Sequence, residues 1–439
     1  MKLFTDYQKT NPKMEVIPLA SSVSGTVNAP ASKSAMQRAI ACALLAEGRS
    51  EIYNPSLCDD AYAALKMSEC LGASTRILDD RIIVDGGYKP GCGELFCGES
   101  GLGARLFTPL ASLNAGWMEI NGSGSLLKRP MDMLSETLSQ MGVEVISNGG
   151  FLPLRVRGPM KGGLAFVDGS LSSQFLTGLL IALPVAKEDS KLIVHKLKSK
   201  PYIDLTIDIL NHFGVEVINE NYSLFSIPGS QEYKPSSYTV EGDWSGAAFL
   251  LVLAALAGDI TVRGISPGST QSDRKVLDIL RDVGAHVQVK DNEVSIRKDG
   301  LKPFIADLSD CPDLAPPLAV LASFCHGKSI LSGTERLKVK ESDRGSALMT
   351  EMSGLGVKIM NYDNRIEIEG PCMINEGRVD SHGDHRISMA LTIMSVAGGG
   401  KVTVKGAESV NKSYPSFYEE LKELGVVINI SEEPAHLPF

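Results

Sequence analysis

The densest group of ionisable side chains in the sequence is the segment KVKESDR, residues 338–344, in which acidic and basic residues alternate. A solvated helix start is the ordinary explanation of such a run. On a helix, however, Lys340 and Arg344 would share one face and repel each other unless an anion lay between them. Ammonium and guanidinium groups bind phosphate and carboxylate, so the segment indicates the binding of a phosphorylated ligand.

Polar and charged residues recur at the predicted starts of apolar helices. They are Lys33, Ser34, Arg38, Glu99, Ser100, Gly101, Arg105, Ser172, Ser173, Gln174, Asp243, Ser245, Asp313, Asp384, His385 and Arg386. N-capping explains the Ser and Asp residues. It does not explain the cations, because the helix dipole disfavours positive charge near a helix start. Helix N-termini bind anions, so an anionic ligand is the simplest explanation of the cations.

A second group of candidates lies in the loops that precede the other helices of the chain. It comprises Arg129 in LLKRP, Ser199 and Tyr202 in KSKPYID, the segment 338–344, and Lys412 in NKSYP. Each motif alone is weak. Because every one precedes the same kind of helix, we expect these side chains to lie at the same end of their structural units as the helix starts.

The elements that position these residues form a sixfold repeat. Each copy has a polar start, an apolar helix, a short strand, an amphipathic helix ending at Gly, and further strands. The copies start near residues 32, 100, 172, 243, 312 and 384. This period of about 70 residues is longer than that of most solenoids. We predict a split β-α-β-α-β-β unit with a buried first helix and a solvent-facing second helix.

The length of 439 residues predicts two domains, since one ordinary core does not extend that far. The predicted fold class is α/β (α+β), a two-domain inverse α/β barrel-like fold with three units per domain. The N-terminal domain is expected at 32–242, and a discontinuous C-terminal domain at 1–31 and 243–439. We expect the strand region 16–28 to complete the last sheet of the C-terminal domain. The active site is expected in the interdomain cleft.

Composition narrows the class of protein. A hydrophobic fraction of 43% with 22% charged residues is typical of a soluble globular protein, and a net charge of −9 argues against nonspecific nucleic-acid binding. The apolar runs are too short to span a bilayer, and the N-terminus lacks a signal-peptide core, which predicts a cytoplasmic protein with no membrane partner. The eight scattered cysteines are expected to be reduced thiols, and no metal-ligand cluster is visible.

Seven motifs together resemble those of the enolpyruvyl transferases over nearly the full chain. They are PASKSAMQR, GESGLGAR, GSLSSQF, SKPYID, CPDL, KVKESDR and GDHR. KVKESDR, GDHR and GSLSSQF are the most specific, and GSLSSQF with SKPYID favours the members that act on shikimate 3-phosphate. The resemblance implies two domains of three split units each, closing on the substrates.

The resemblance also implies two groups of substrate-binding residues. Those expected to bind shikimate 3-phosphate are Ser34, Arg38, Ser172, Ser173, Ser199, Tyr202, Asp313 and Lys340. Those expected to bind phosphoenolpyruvate are Lys33, Gly101, Arg129, Gln174, Arg344, Arg386 and Lys412. Lys340 and Arg344 are thereby assigned to different substrates, and Glu341 lies between these two residues in the sequence. Leu102 stands where the family often has Thr, and Arg336 where some members place a substrate-binding Asn.

The implied reaction moves the enolpyruvyl group of phosphoenolpyruvate to the 5-hydroxyl of shikimate 3-phosphate and releases phosphate, a step of aromatic amino acid biosynthesis. It proceeds by addition and elimination through a tetrahedral intermediate. We expect Asp313 to be the base on the hydroxyl. Lys33 and Glu341 are the candidates for proton transfer at C3 of phosphoenolpyruvate, with His385 beside them. No cofactor or metal is expected, and the enzyme is expected to be a monomer.

Two alternatives differ from this hypothesis. One is the related transfer of enolpyruvyl to UDP-N-acetylglucosamine, whose usual loop cysteine has no counterpart in residues 117–130. The other is a ring-forming, clamp-like binding protein, which is also built from six similar modules. A clamp would carry basic residues along the helices that line its hole, and not at the starts of buried helices.

Overall fold

The computed structural model describes residues 14–19, 22–399 and 402–432. Six apolar helices begin the repeated units: α1 (Lys33–Leu45), α3 (Gly101–Ala111), α5 (Gln174–Ala182), α7 (Trp244–Ala257), α9 (Ala315–Phe324) and α11 (His385–Gly398). Six further helices follow them in alternation: α2 (Asp59–Cys70), α4 (Asp132–Gln140), α6 (Pro201–His212), α8 (Val276–Val283), α10 (Arg344–Gly354) and α12 (Phe417–Glu423).

The strands of the first half of the chain are β1 (Met14–Leu19), β2 (Val23–Asn28), β3 (Gly48–Tyr53), β4 (Ser74–Ile77), β5 (Arg81–Gly86), β6 (Glu94–Phe96), β7 (Trp117–Asn121), β8 (Glu144–Asn148), β9 (Phe151–Arg157), β10 (Gly163–Asp168), β11 (Ser190–His195), β12 (Ile218–Glu220), β13 (Leu224–Ile227) and β14 (Ser237–Thr239). Those of the second half are β15 (Gly258–Arg263), β16 (His286–Lys290), β17 (Glu293–Arg297), β18 (Ile305–Asp307), β19 (Gly327–Ser332), β20 (Lys358–Asn361), β21 (Arg365–Gly370), β22 (Gly377–Asp380), β23 (Val402–Lys405) and β24 (Val427–Glu432).

These strands form six four-stranded sheets with one shared pattern. In the second unit the order is β6-β7-β9-β8, where β6 is parallel to β7 and both other pairs are antiparallel. The third and fifth units repeat this order with β10-β11-β13-β12 and β18-β19-β21-β20. The predicted split β-α-β-α-β-β unit is therefore confirmed.

The other three sheets take one strand from a distant part of the chain. β14 supplies the first strand of the first unit, in the order β14-β3-β5-β4. β2 supplies the first strand of the fourth unit (β16-β17-β15-β2), and β1 completes the sixth (β22-β23-β1-β24). The expectation that the whole N-terminal strand region completes the last sheet was right for β1 and wrong for β2. The reason is that β14 is used by the first unit, which leaves the fourth unit without a first strand of its own.

Two separate hydrophobic cores hold the units together. One contains α1, α3 and α5, with α3 packed against both neighbours, and its residues lie between 35 and 240. The other contains α7, α9 and α11, packed against one another, together with Val16, Val23 and Val27 from the N-terminal strands. Every residue of α7 from Trp244 to Leu256 is buried, as its apolar sequence predicts.

The chain passes between the cores twice, at adjacent points. Ala31 and Gly242 form an isolated antiparallel bridge. The amide of Ser32 donates to the Glu241 carbonyl at 2.8 Å, and the amide of Asp243 donates to the Pro30 carbonyl at 2.7 Å. These features support the predicted boundaries near residues 31 and 242, and the division into domains at those residues stays a prediction.

The expectation that all eight cysteines are reduced thiols was wrong for one pair, because Cys70 and Cys92 form a disulfide. They lie 22 residues apart in sequence. Strands β4 and β5 return the chain to the end of α2, where Gly91 donates to the Cys70 carbonyl. The remaining six cysteines are free.

No helix in the described ranges is long and apolar enough to cross a membrane. Nor do the same ranges contain a group of three or more His, Cys, Asp or Glu residues arranged to hold a metal ion.

The placement of β2 can be tested at Gly258, where β15 begins. A Cβ atom on Gly258 would lie 1.7 Å from the Val23 carbonyl oxygen of β2, so Gly258→Ala must push the two strands apart. We expect a loss of about 1–3 kcal/mol in the free energy of unfolding, measured by chemical denaturation. Gly354→Ala is the control, since that position has open space and a helical backbone. Equal stability of the two variants would contradict the pairing of β2 with β15.

Candidate active site

Four of the six apolar helices, α1, α3, α7 and α11, have the side-chain N-caps that their sequences predict, whereas α5 and α9 lack one. Ser32 and Ser100 accept hydrogen bonds from the amides of Ala35 and Gly103 at the starts of α1 and α3. Asp243 caps α7, and Asp384 caps α11 by accepting from the Arg386 amide at 2.9 Å. Several of the cations identified in the sequence lie beside these caps.

A cleft lies where residues of the two cores meet. Ten of the predicted binding residues line it: Ser34, Arg38, Arg129, Ser172, Ser173, Gln174, Ser199, Tyr202, Asp313 and Lys340. The first eight come from the first core, and Asp313 and Lys340 come from the second. Leu102, Arg105 and Arg336 also line the cleft.

Asp313 is the centre of the ion-pair network at this cleft. Its carboxylate oxygens lie 2.7 Å from Arg344 Nη1, 3.1 Å from Arg386 Nη2 and 3.3 Å from Lys340 Nζ. Burial alone would raise the pKa of Asp313. The cations Arg386, Lys340 and Arg344 outweigh burial and hold the pKa well below its usual range.

Arg344 joins Asp313 to two further carboxylates. Its guanidinium contacts Glu341 Oε2 at 2.6 Å and Asp384 Oδ2 at 2.8 Å, and the residue is 1% exposed. Burial acts to lower the pKa of Arg344, but these carboxylates raise it. The pKa of Glu341 lies well below its usual range, because Arg344 and Arg129 outweigh the effect of burial.

Lys340 and Arg344 are not neighbours on one helix face. A 3-10 helix covers Glu335–Val339, and α10 begins only at Arg344, with Asp343 as its N-cap. The repulsion between the two cations is instead relieved by Asp313, which contacts both. Burial lowers the pKa of Lys340 to about 8, against the opposing effect of Asp313.

Lys33 and Lys412 reach the same region from opposite cores. Lys33 Nζ pairs with Asp60 Oδ2 at 2.9 Å, and Lys412 Nζ pairs with Glu99 Oε2 at 2.9 Å. Burial acts to lower the pKa of Lys33, but Asp60 and Glu341 raise it above its ordinary value. The Lys412 pair joins the two cores.

His385 is buried, and neither ring nitrogen has a hydrogen-bond partner among the described residues. Burial, together with the nearby Lys33 and Arg386, keeps the pKa of His385 well below its usual range. The imidazole is therefore neutral at physiological pH, so it can accept or donate a hydrogen bond but adds no positive charge to the site.

Arg129 is the cation with the most unused hydrogen-bonding capacity. It is 6% exposed and lies 3.6 Å from Glu341 Oε1, yet within the described part of the chain its Nε and Nη1 have no hydrogen-bond partner. Buried donors are nearly always paired, so these atoms indicate a missing acceptor. Gly101 permits this arrangement, because a Cβ atom there would lie 2.4 Å from Arg129 Nη1.

Arg38 and Arg105 are held mainly by neutral oxygen atoms of the protein. Arg38 donates to the hydroxyls of Thr206 and Thr177 at 2.9 and 3.2 Å and to two backbone carbonyls. Arg105 donates to Gln174 Oε1 at 2.9 Å and to a carbonyl. Burial lowers their pKa values to about 10 and about 9. Arg38 lines the cleft, and its protein partners are these neutral oxygens and not an anionic side chain.

Sequence reasoning missed two acidic residues of the site. Asp60 lies in the first turn of α2 and pairs with Lys33. Asp273 lies in the 3-10 helix Ser272–Lys275 and is fully buried. Both occur near the start of the second helix of a unit, where the candidates in the other units were basic residues, hydroxyl-bearing residues and Glu341. An acidic residue at a helix start is ordinarily explained by the helix dipole, so neither gave a distinct signal.

Comparison with known proteins identifies the family of the chain. A sequence model of the family described as EPSP synthase (3-phosphoshikimate 1-carboxyvinyltransferase) matches residues 19–421. The chain belongs to the EPSP synthase family. It is 38% identical over 423 residues to a 3-phosphoshikimate 1-carboxyvinyltransferase of Clostridium perfringens, covering 94% of this chain and 99% of that protein. A protein of the same name from Methanocorpusculum labreanum is 39% identical over 420 residues, with the same coverage.

Solved structures extend the EPSP synthase likeness to the fold. The EPSP synthase of Acinetobacter baumannii superposes with a TM-score of 0.81 at 25% identity, covering 96% of this chain and 100% of that one. The enolpyruvyl transferase NikO of Streptomyces tendae gives a TM-score of 0.79 at 17% identity, which shows the shared fold alone. The predicted family is thereby confirmed, and membership in the EPSP synthase family does not favour the UDP-amino-sugar alternative.

The ion pairs of Arg344 should contribute more to the free energy of unfolding than the surface ion pair in the same segment. Arg344→Met leaves Asp313, Glu341 and Asp384 without their shared partner, and we expect a loss of about 3–5 kcal/mol in the free energy of unfolding, measured without substrates. The matched control is Lys338→Met, since Lys338 lies in the same segment but pairs with Asp363 at the surface. A control variant that is as unstable as Arg344→Met would contradict this ranking.

Proposed function

We propose that the chain transfers the enolpyruvyl group of phosphoenolpyruvate to the 5-hydroxyl of shikimate 3-phosphate and releases phosphate. The observation that carries this proposal is the convergence of Lys340, Arg344 and Arg386 on the Asp313 carboxylate, in a cleft between two cores. Two anionic substrates need cations on two sides of a group able to move a proton. The family to which the chain belongs supports the same reaction.

The binding side for shikimate 3-phosphate is assigned to the hydroxyl-rich part of the cleft. Ser172, Ser173 and Ser199 lie there with Lys340 and Tyr202, and hydroxyls with one ammonium suit a phosphate and a hydroxylated ring. Ser34 and Arg38 complete this group. The Ser199 backbone adopts a left-handed conformation with φ of 56°. Its amide donates to Asp310 Oδ1 at 2.7 Å, and its hydroxyl accepts from Arg336 Nη2 at 2.9 Å.

The binding side for phosphoenolpyruvate is assigned to the guanidinium-rich part of the site. Arg129, Arg344 and Arg386 offer planar donors that suit bidentate contacts with a carboxylate and a phosphate. Lys33, Lys412, Gly101 and Gln174 complete this group. The unpaired Nε and Nη1 atoms of Arg129 support the assignment, since an anionic substrate would supply their acceptor.

The carboxylates of the site pair with the same cations that substrate anions would bind. Asp60, Glu99, Asp313 and Glu341 each neutralise at least one cation assigned to a substrate. When phosphate and carboxylate groups bind those cations, the attraction that depresses the Asp313 pKa is shared with the ligands. The pKa of Asp313 then rises toward its usual range, so substrate binding converts a weak base into a competent one.

In the proposed reaction these residues have the following roles. Asp313 accepts the proton of the 5-hydroxyl as that oxygen bonds to C2 of phosphoenolpyruvate, and C3 gains a proton, which gives the tetrahedral intermediate. The C2–O bond to phosphate then breaks as C3 loses a proton, which restores the double bond in the product. Lys33 and Glu341 are assigned to proton transfer at C3. The neutral His385 is assigned a supporting hydrogen-bonding role beside them.

Three further assignments accompany this function. We propose that the two cores are two domains, residues 32–242 and residues 1–31 with 243–439, which close on the substrates. The two crossings of the chain between the cores support this division. The monomeric state and the cytoplasmic location stay predictions.

The reaction can be tested directly with purified protein. Mixing it with shikimate 3-phosphate and phosphoenolpyruvate should release inorganic phosphate at about 1–10³ turnovers per second, the usual range for enzymes. Phosphate is measured by a coupled colorimetric assay, and the carbon product by mass spectrometry. Replacing shikimate 3-phosphate with UDP-N-acetylglucosamine is the control and should give no phosphate. Release of phosphate only with UDP-N-acetylglucosamine would show that the chain transfers enolpyruvyl to the UDP-amino sugar instead.

The role of Asp313 can be tested with Asp313→Asn. The amide cannot accept the hydroxyl proton, so kcat should fall about 10²–10⁴-fold. The KM values should rise little, because the three cations lose a competing carboxylate and remain available to the substrates. Steady-state kinetics with each substrate varied in turn gives both constants. Asp363→Asn is the control, as that side chain is 98% exposed. A fully active Asp313→Asn enzyme would remove Asp313 from the role of base.

A further inference from the structure

Asp273 is a buried carboxylate that the proposed reaction does not use. It is fully buried in the 3-10 helix Ser272–Lys275, just before α8. Its Oδ2 atom accepts a short hydrogen bond from Ser245 Oγ and lies 3.4 Å from the Tyr202 hydroxyl. Its Oδ1 atom is buried and has no hydrogen-bond partner in the described part of the chain. A buried carboxylate with one unpaired oxygen calls for a functional explanation.

The contact between Asp273 and Tyr202 joins the two cores at the substrate cleft. Tyr202 lies in the first turn of α6 and lines the cleft, whereas Asp273 and Ser245 belong to the fourth unit, in the second core. An oxygen–oxygen distance of 3.4 Å makes this a long hydrogen bond. The negative charge of Asp273 is therefore an important part of its attraction for the hydroxyl proton.

The surroundings of Asp273 disfavour that negative charge. Burial and the nearby Asp313 raise the pKa of Asp273 to about 6, with Asp243 acting in the same direction and Arg386 opposing it. The Cys311 thiol and the Tyr202 phenol also face Asp273, and burial raises the pKa of both far above neutrality. The charge of Asp273 therefore changes between pH 5 and pH 8.

We infer that Asp273 is a positioning residue, whose carboxylate holds the Tyr202 hydroxyl of the first core in the substrate cleft and loosens that hold when it takes up a proton. A protonated carboxyl group needs an acceptor for its own O–H, and Ser245 Oγ is the nearest such atom. Oδ2 would then donate to Ser245 and accept only weakly from Tyr202. The inference rests on the proposed function, because Tyr202 is assigned to the binding of shikimate 3-phosphate.

The test is the pH dependence of the affinity lost when the Tyr202 hydroxyl is removed. Binding of shikimate 3-phosphate to the wild type and to Tyr202→Phe is measured by calorimetry at pH 8 and at pH 5. The phosphate of the ligand also titrates near pH 6, so the Kd of the variant is divided by that of the wild type at the same pH. We expect a ratio of about ten at pH 8, where the acceptor is charged, and below about three at pH 5.

Asp273→Asn completes the design. At pH 8 this variant should weaken binding about as much as Tyr202→Phe, and the double variant should be no weaker than either single variant. In the Asp273→Asn background the effect of Tyr202→Phe should be small at both pH values. A Tyr202→Phe ratio that does not change with pH, or losses that multiply in the double variant, would overturn the inference. If Asp273→Asn does not fold, the pH dependence of Tyr202→Phe alone decides.

Two measurements separate this inference from other effects. Tyr88→Phe is the matched control, because the Tyr88 hydroxyl donates to a neutral carbonyl, that of Leu110, at 2.8 Å. It should leave the affinity unchanged at both pH values, and a pH-dependent loss there would count against Asp273. Failure of the wild type to bind shikimate 3-phosphate would contradict the proposed function itself. Binding with a pH-independent Tyr202→Phe ratio would contradict the inference alone.

A measurement without ligand adds an independent readout. The folded-state pKa of Asp273 lies above its ordinary value of 3.8, so its effect on stability is favourable at low pH and is lost as the pH rises through about 6. Asp273→Asn should therefore raise the thermal unfolding midpoint, relative to the wild type, more at pH 8 than at pH 5. The opposite trend would show that Asp273 remains ionised over this range and would overturn the inference.

Discussion

Asp313 accepts ion pairs from Lys340, Arg344 and Arg386, so one carboxylate holds three cations within a single site. Cations this close repel strongly when they are removed from water, and a buried charge is tolerated only when it is paired. The arrangement of the helix starts follows from that requirement. The starts of α9 and α11 and the segment before α10 supply the charges, and the apolar remainder of the first helices fixes where those charges lie.

The same charge balance extends across the boundary between the cores. Arg129 of the first core faces Glu341 of the second, and Glu99 of the first pairs with Lys412 of the second. The site therefore keeps its cations in place by pairing them with carboxylates from either core. A doubly anionic ligand competes with those internal partners. The affinity that it achieves is the difference between two sets of ion pairs and not the sum of its own contacts.

Local sequence patterns gave the repeated unit and the positions of most site residues. The apolar length of α7 and the caps Ser32, Ser100 and Asp384 are visible because periodicity and capping act over a few residues. The place of β2 in the sheet of the fourth unit could not be predicted, because pairing between strands that are distant in sequence produces no local sequence pattern. The individual roles of the site residues came from family resemblance, because spacing alone does not say which cation meets which substrate.

The Asp residues of the site show where local reasoning ends. Asp313 was identified by its place at a predicted helix start, and its substrate was assigned by resemblance to a known family. Asp60 and Asp273 lie at ordinary helix starts, and their sequence surroundings do not distinguish them from surface caps. What distinguishes Asp273 is burial beside Tyr202 and Ser245, which lie 71 and 28 residues away along the chain. Such proximity is a property of the fold and not of the local sequence.

Strands β1, β2 and β14 join sheets whose other strands lie far away in the sequence, and this imposes an order on the folding of the chain during its synthesis. The first unit is complete only when β14 (Ser237–Thr239) has been made, and β2 finds its parallel partner only at β15. β1 pairs with β23 and β24, so it waits for almost the entire chain to leave the ribosome. During translation the first core, between residues 35 and 240, can therefore assemble on its own. Strands β1 and β2, which precede this core in the chain, remain without the other strands of their sheets. The pairing of β1 with β24 therefore forms last, which makes completion of the second core a late event in the folding of the nascent protein.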